Sequence, residues 1–254
     1  VNGAACSSGC TAQADSPAAG IDRIASIDLG AGVDGTQFNF GERQLASLSG
    51  LVYVDADRNN ALGGGDTGRI PNVEVRLVQG ADCASGTTLQ TRNTGADGSF
   101  RFDNVVAGAA YLLCQTQPAA YGNGNANGTA GSNSISIPLL GPTGSANNLF
   151  GEVAASLAGT VYQDNGTGVA AQADNGVKDA GEVGIANVPI TVTGTDLLGN
   201  AVSRSTTTDV NGNWQIDGLL AAGPAGYTVT EGTIPPASGS FIDGRETAGT
   251  AGGN

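Results

Sequence analysis

The sequence predicts an all-β protein built from tandem sandwiches of antiparallel sheets, and three observations predict it. First, apolar and polar residues alternate with period two in Val73-Glu74-Val75-Arg76-Leu77, Phe100-Arg101-Phe102, Val188-Pro189-Ile190-Thr191-Val192 and Trp214-Gln215-Ile216, as half-buried strands do. Second, hairpin chemistry separates these runs at Ala96-Asp97-Gly98, Leu198-Gly199-Asn200 and Asn211-Gly212-Asn213. Third, Ser26-Ile27-Asp28-Leu29 with Phe40-Gly41-Glu42 returns as Ser136-Ile137-Pro138-Leu139 with Phe150-Gly151-Glu152, a spacing of about 110 residues, or one compact domain. No window carries a sustained helical period.

The elements of the two repeats follow one another in the same order. Ser47-Leu48-Ser49-Gly50-Leu51-Val52-Tyr53 and Ser156-Leu157-Ala158-Gly159-Thr160-Val161-Tyr162 read as first strands. An acidic loop follows each. Ile70-Pro71-Asn72-Val73 and Ile185-Ala186-Asn187-Val188 open the next strand. Thr94 to Phe100 matches Thr208 to Trp214 as a hairpin, and the strand at Gly108 to Tyr111 matches that at Gly223 to Tyr227. The joint between repeats is short, Glu152 to Ser156, which favours a stiff rod. The expected organisation is an extension over 1–43 carrying an orphan closing strand, a first module over 44–152, and a second over 153–254 that lacks its last strand.

Composition narrows the function classes. The chain has 254 residues, 39% hydrophobic but 5% aromatic, so Val, Ile and Leu with a few aromatic anchors must fill the cores. Its 42 glycines follow no Gly-X-Y period, which excludes collagen. A formal charge of -13 argues against nucleic acid and anionic membrane surfaces as partners. Apolar runs are short of the roughly 20 residues of a transmembrane helix, so no membrane insertion is expected. With no Met and no visible signal peptide, the chain reads as a mature product or a fragment of a longer one.

The four cysteines fall into two close pairs, neither with Cys-x-x-Cys spacing, and the absence of His removes mixed zinc sites. Even pairing suggests disulfides and an extracytoplasmic location. Cys83 and Cys114 suit a bridge within one module. Cys6 and Cys10 suit a tight local loop or a bond between molecules.

The ordered motifs resemble the SdrD B-like repeats of bacterial surface proteins and adhesins, relatives of the Cna B-type domains. The resemblance covers about 47–152 and 153–254, and residues 21–43 match its final strand alone. It implies two tandem immunoglobulin-like (Cna B-type) β-sandwich modules with an N-terminal donor-strand segment, in a family of stalks, spacers and polymer subunits. The acidic loops imply calcium, because a hard cation takes six to eight oxygens and an Asp-x-Asp-x-Asn run turns alternate side chains to one point. Asp164, Asp174, Asp179 and Glu182 are the ligand candidates of the second loop. Asp55, Asp57, Asn59 and Asp66 are those of the first, where Arg69 stands in place of a terminal Glu and weakens the match. Turn chemistry alone also favours Asp, Asn and Gly in such loops. The Lys–Asn crosslink known in Cna B-type domains is not expected, since the single lysine, Lys178, lies in the acidic loop.

Catalysis is not expected. Without His, Ser-His-Asp and Cys-His devices are impossible, the carboxylates sit in Gly-rich turns, and Gly63-Gly64-Gly65 lacks the Gly-Lys-Ser/Thr of a phosphate loop. Trp214 and the tyrosines suggest a sugar-binding platform as one alternative, with core filling as the commoner use of such positions. The leading expectation is an extracellular filament or sheath subunit. Its strand at about 24–40, anchored by Ile24, Ile27, Leu29, Phe38 and Phe40, inserts into module 153–254 of a neighbour, giving a head-to-tail homopolymer. A calcium-stabilised stalk in one covalent chain, binding a glycan or host or matrix surface, is the other alternative. Closure of the strand onto its own chain would require a return across the whole first module.

Overall fold

The computed structural model describes residues 11, 12, 24, 25 and 27–253. The expected pairing of Cys6 with Cys10 lies outside the described residues. The chain divides into two units, Val1–Gln44 and Leu45–Asn254. In the first, β1 (Thr11–Ala12) pairs antiparallel with β2 (Ile24–Ala25). Residues 27–44 carry no strand, and Gln37 has a positive φ of 66°.

In the second unit the first repeat contributes β3 (Leu45–Val54), β4 (Glu74–Gln79), β5 (Thr87–Asn93), β6 (Ser99–Val106), β7 (Tyr111–Gln115), β8 (Gly122–Ala126), β9 (Thr129–Ala130), β10 (Ser134–Ile137) and β11 (Ser145–Val153). They form a four-stranded sheet ordered β10-β7-β4-β5 and a five-stranded sheet ordered β6-β3-β11-β8-β9. Alternation does what it predicts. In β6, Phe100 and Phe102 are buried while Ser99, Arg101 and Asp103 face solvent. One core cluster joins both sheets, with Leu48, Val52, Val75, Leu77, Phe102, Leu113 and Phe150 at its centre. One pair departs from the antiparallel expectation: β11 runs parallel to β3. The chain leaves β10 in one sheet and enters β11 in the other, so its last strand lies beside its first and in the same direction.

The second repeat contributes β12 (Ala155–Thr160), β13 (Pro189–Asp196), β14 (Ala201–Thr207), β15 (Asn213–Leu219) and β16 (Ala222–Glu231). These give a two-stranded sheet, β12-β15, and a three-stranded sheet, β14-β13-β16. Local devices recur in both repeats. Buried Thr94 donates to Ile70 O and accepts from Val73 N, at 2.7 and 2.9 Å; buried Thr208 does the same with Ile185 O and Val188 N at the same distances. Asn72 and Asn187 both take left-handed backbone before these strands, with φ of 58° and 60°. The cores differ. The second repeat holds two small clusters, Val161, Ile185, Val188 and Ile190 in one, and Val192, Ile216 and Leu219 in the other.

Cys83 and Cys114 form a disulfide between the β4–β5 connection and β7, closing a loop with a sequence separation of 31. Restricting that loop in the unfolded chain contributes about 3–4 kcal/mol in the chain-entropy account. The double variant Cys83→Ser/Cys114→Ser is therefore expected to lose about that much stability to denaturant. The readout is the unfolding of the first repeat followed by near-ultraviolet circular dichroism.

Candidate functional site

Strand β11 closes the first repeat through three consecutive residues. Phe150 pairs with Val52 of β3, is fully buried, and lies 6.1 Å from the Phe100 ring centre. Gly151 pairs with Tyr53, and a Cβ there would collide with the Asn125 amide and meet the Tyr53 ring at 2.8 Å. Glu152 is fully buried. Its Oε1 accepts from Gln115 Nε2 at 2.7 Å and its Oε2 from Gln117 Nε2 at 2.5 Å. Burial still holds the Glu152 carboxyl above the ordinary glutamate range, against the opposing pull of these two amides. Opposite β11, Gly50 is obligatory, since a Cβ there would strike the Asn148 carbonyl oxygen. Phe-Gly-Glu is thus a core plug, a ring-contact glycine and a buried carboxyl.

The copy at Phe40-Gly41-Glu42 has none of these contacts. Phe40 is 55% exposed, Ile27, Leu29 and Phe38 are exposed, and a Cβ on Gly41 would meet nothing within 4 Å. Ile24 is half-buried in β2. One backbone feature of the closing strand nevertheless persists. Gln37 stands three residues before Phe40 with φ 66°, and Asn147 stands three before Phe150 with φ 57°, at the register shift between β11 and β3.

The second repeat presents the complementary gap. Among the described residues β12 pairs only with β15, so the edge corresponding to the β3 edge that carries β11 has no strand. Gly159 occupies the place of Gly50, and the nearest atoms a Cβ there would meet belong to the Trp214 indole, at 2.9 Å. Val161, Trp214 and Ile216 stand where Val52, Phe100 and Phe102 stand in the first repeat. The chain after β16 folds over part of this core through half-buried Ile234 and Phe241, and reaches the acidic loop, where Thr247 Oγ1 donates to Gly176 O. The turn Gly249-Thr250-Ala251-Gly252 repeats Gly128-Thr129-Ala130-Gly131, which follows β8, the other neighbour of β11.

The acidic loops were the other candidates. In the first, ligand atoms of Asp55, Asp57 and Asp66 lie within 4.8 Å of one another, with Asp55 and Asp66 buried. The turn from Gly63 folds Asp66 back: its Oδ1 accepts from Ala56 N at 2.7 Å and its Oδ2 from Gly63 N at 2.8 Å. Asn59 sits between them, donating through Nδ2 to Asp57 and through its backbone to Asp55. Arg69 donates to the Asp66 and Gly68 carbonyls and not to the carboxylates. Burial, and then the charges of Asp55, Asp66 and Asp57, raise the Tyr53 hydroxyl pKa. In the second loop Glu182 accepts from Gly166 N and Asp179 N, and Asp179 accepts from Asn175 Nδ2. Asp164 Oδ2 accepts from Gly176 N, while its Oδ1 is buried without a hydrogen-bond partner among the described residues. Among the described residues Asp164, Asp174, Asp179 and Glu182 yield no tight group of three ligand atoms like that of the first loop. The closest carboxylate cluster therefore lies in the first loop, where the sequence pattern was the weaker, because a backbone turn and not residue spacing brings Asp66 to Asp55.

Trp214 is half-buried against the Val161 cluster, and the exposed aromatic side chains among the described residues are Phe38 and Phe40, so no row of rings forms a sugar platform. Lys178 Nζ donates to Asn211 O at 3.1 Å on the surface. No helix among the described residues is long and apolar enough to cross a membrane. Gln115, Gln117 and Asn125 were not singled out in sequence. The correspondence of Gln115 with Glu231 is set by strand pairing, Gln115 with Val75 and Glu231 with Ile190.

Residues 46–136 match the SdrD B-like domain family. No curated protein matches the chain. Among solved structures the chain is similar to the Bacillus anthracis TIE protein at 14% identity and a TM-score of 0.39, over 75% of this chain and 29% of that one. It is similar to the shaft pilin spaA from Lactobacillus rhamnosus GG at 15% identity and a TM-score of 0.32, over 77% of this chain and 89% of that one. It is likewise similar to the SpaE basal pilin from the same organism at 11% and 0.35, over 82% and 89%. These structural likenesses are distant.

Proposed function

We propose, from the premise of an SdrD B-like domain at residues 46–136, that the protein is a structural subunit of an extracellular bacterial surface fibre, joined head-to-tail by strand insertion. Residues 27–42 of one copy enter the second repeat of the next, the part matching β10 along β16 and the part matching β11 along the edge of β12. The observation that carries this reading is the match between an exposed closing strand and an open edge of the same repeat. In the first repeat β10 buries Ile137 and β11 buries Phe150, while Leu139 between the two strands is exposed, so Ile27 and Phe40 are the inward anchors and Leu29 faces out. Phe38 takes the place of buried Asn148, and Ile24 that of exposed Ser134. Gly41 meets Tyr162 as Gly151 meets Tyr53. Burying Ile27 and Phe40 contributes about 1.5–3 kcal/mol each, and each ladder hydrogen bond about 1 kcal/mol. The contact joins unlike surfaces and propagates without closing, which gives a filament.

The test is sedimentation and electron microscopy of chains lacking residues 1–43. Monomers are expected where the intact chain gives filaments; filaments of the shortened chain would refute insertion. The donor and acceptor are the same residues whether successive copies are separate subunits or parts of one polypeptide. A denaturing gel distinguishes these, with a band near 24.9 kDa for separate subunits.

Calcium fits the first acidic loop, because three carboxylates converge there, two of them buried, with no cation side chain bonded to them among the described residues. Asp55, Asp57 and Asp66 would hold it with Asn59, and the bare Asp164 Oδ1 offers a ligand in the second loop. The ion would supply charge compensation that stiffens the loop, a structural role. Calcium at a hundredfold excess over Kd is expected to stabilise the unit by about 2.7 kcal/mol. Thermal melts with calcium and with chelator measure this, and Asp66→Asn should remove the first loop's share. Identical melts would rule the site out.

A further inference from the structure

Resting on the strand-insertion reading, we infer that the acceptor edge ends in a carboxyl site, Glu231 flanked by Asp243 and Glu246, which takes Glu42 of the incoming strand as a neutral carboxylic acid. Insertion therefore takes up a proton.

Gln115 pairs with Val75, and the preceding steps are Arg76 with Cys114 and Leu77 with Leu113. Glu231 pairs with Ile190, preceded by Thr191 with Thr230 and Val192 with Val229. Glu231 thus holds the place of Gln115, and Thr233 that of Gln117. The shared Gly-Thr-Ala-Gly turn places Glu246 on Asn125 and Gly244 on Asn123. In the first repeat the buried carboxyl of Glu152 is received by amide donors. In the second the same position offers carboxylates. An ionised carboxylate only accepts, so ionised Glu42 against ionised Glu231 leaves both without a donor and sets like charges together as water is excluded. One proton between them turns the pair into an O–H···O⁻ hydrogen bond.

The other charged groups do not relieve this. Asp243 and Glu246 are acidic. Partial burial first, and then these two charges, already raise the Glu231 pKa in the free chain, although its side chain is exposed by area. Asp164 stands where Asp55 donates its N–H to Glu152 O at 2.8 Å. Tyr162 offers a phenol in the place of Tyr53. Lys178 is bonded to Asn211 O. Arg43 follows Glu42 in the place of Val153, on the opposite strand face. Arg245 stands at the place of Gly124, with its Cγ and Cδ against Gly176. The neighbours on β13, Pro189 and Ile190, are uncharged.

The sign follows from linkage. Insertion raises the pKa of the shared site above its free value, so the stabilisation is full at low pH and is lost as pH rises through the raised value. Association should strengthen by up to about tenfold per pH unit as pH falls across that window, the slope of one proton.

The test is sedimentation velocity of the full chain from pH 4.5 to 8 at constant ionic strength with chelator present. Wild type should assemble progressively as pH falls. Glu231→Gln, which restores the amide of the first repeat, should assemble at pH 7.5 as strongly as wild type does in acid, with a flat profile. A flat wild-type profile, assembly that weakens in acid through an Arg245–Glu42 pair, or a Glu231→Gln slope equal to wild type (general loss of net charge) would each overturn the carboxyl site. Recovery of wild-type assembly at pH 7.5 by calcium, with loss of the acid slope, would also overturn it in favour of a bridging cation. Phe40→Asp separates the two levels. Association that survives in that variant refutes insertion itself, whereas pH-flat association that it abolishes refutes the carboxyl site alone.

Discussion

Chains carrying Phe40→Asp are expected to remain monomeric at concentrations where the wild type forms filaments, with unchanged melting of the folded repeats. Phe40 is 55% exposed in the chain, so its own fold does not draw on it. Its counterpart Phe150 is fully buried at the centre of the first core. Inserting Asp at that depth removes about 1.5–3 kcal/mol of apolar burial and adds the cost of sequestering an unpaired carboxylate. Association constants should then fall by several orders of magnitude, since each 1.4 kcal/mol is tenfold. Sedimentation equilibrium and negative-stain microscopy provide the readout. Wild-type polymer lengths in the variant would show that the subunits meet elsewhere.

Phe150→Ala should have the opposite profile: a large loss of stability within the chain and no direct effect on the donor strand. Its ring is fully buried, packs 6.1 Å from Phe100, and forms part of the cluster that joins both sheets. Phe→Ala at such positions costs about 3–5 kcal/mol, of the order of a third or more of a domain's net stability. Urea denaturation of the wild type and variant measures it, with a shift in midpoint at constant slope as the expected form. A loss below 1 kcal/mol would mean that β11 does not close this core. The two phenylalanines occupy one position of one repeat and differ only in what lies against them.

Much of the architecture was legible. Period-two runs at Phe100-Arg101-Phe102 and Val73 to Leu77 fell on β6 and β4 with the predicted inward residues, because strand side chains alternate whatever the surrounding fold. The Cys83–Cys114 bridge also followed from their place in one repeat. The parallel pairing of β11 with β3 was not legible, since adjacency of first and last strands depends on how the chain crosses between sheets. The acidic loops show the same limit. Spacing favoured Asp174, Asp179 and Glu182, yet the tight carboxylate group is Asp55, Asp57 and Asp66, drawn together by hydrogen bonds from Ala56 and Gly63 to Asp66.

The recurrence of Phe-Gly-Glu, the alternation of the strands and the Gly- and Asn-marked turns are properties of neighbouring residues. The sequence by itself therefore determined an all-β chain with a repeated closing strand and no catalytic apparatus of the histidine kind. Which residues receive that strand is set by ladder register, which aligns Gln115 with Glu231 although the residues differ. Tertiary structure decided that the buried carboxyl of Glu152 meets the amides of Gln115 and Gln117, and that Glu231 stands at the matching ladder step of the second repeat, because only strand pairing brings such distant residues to one point.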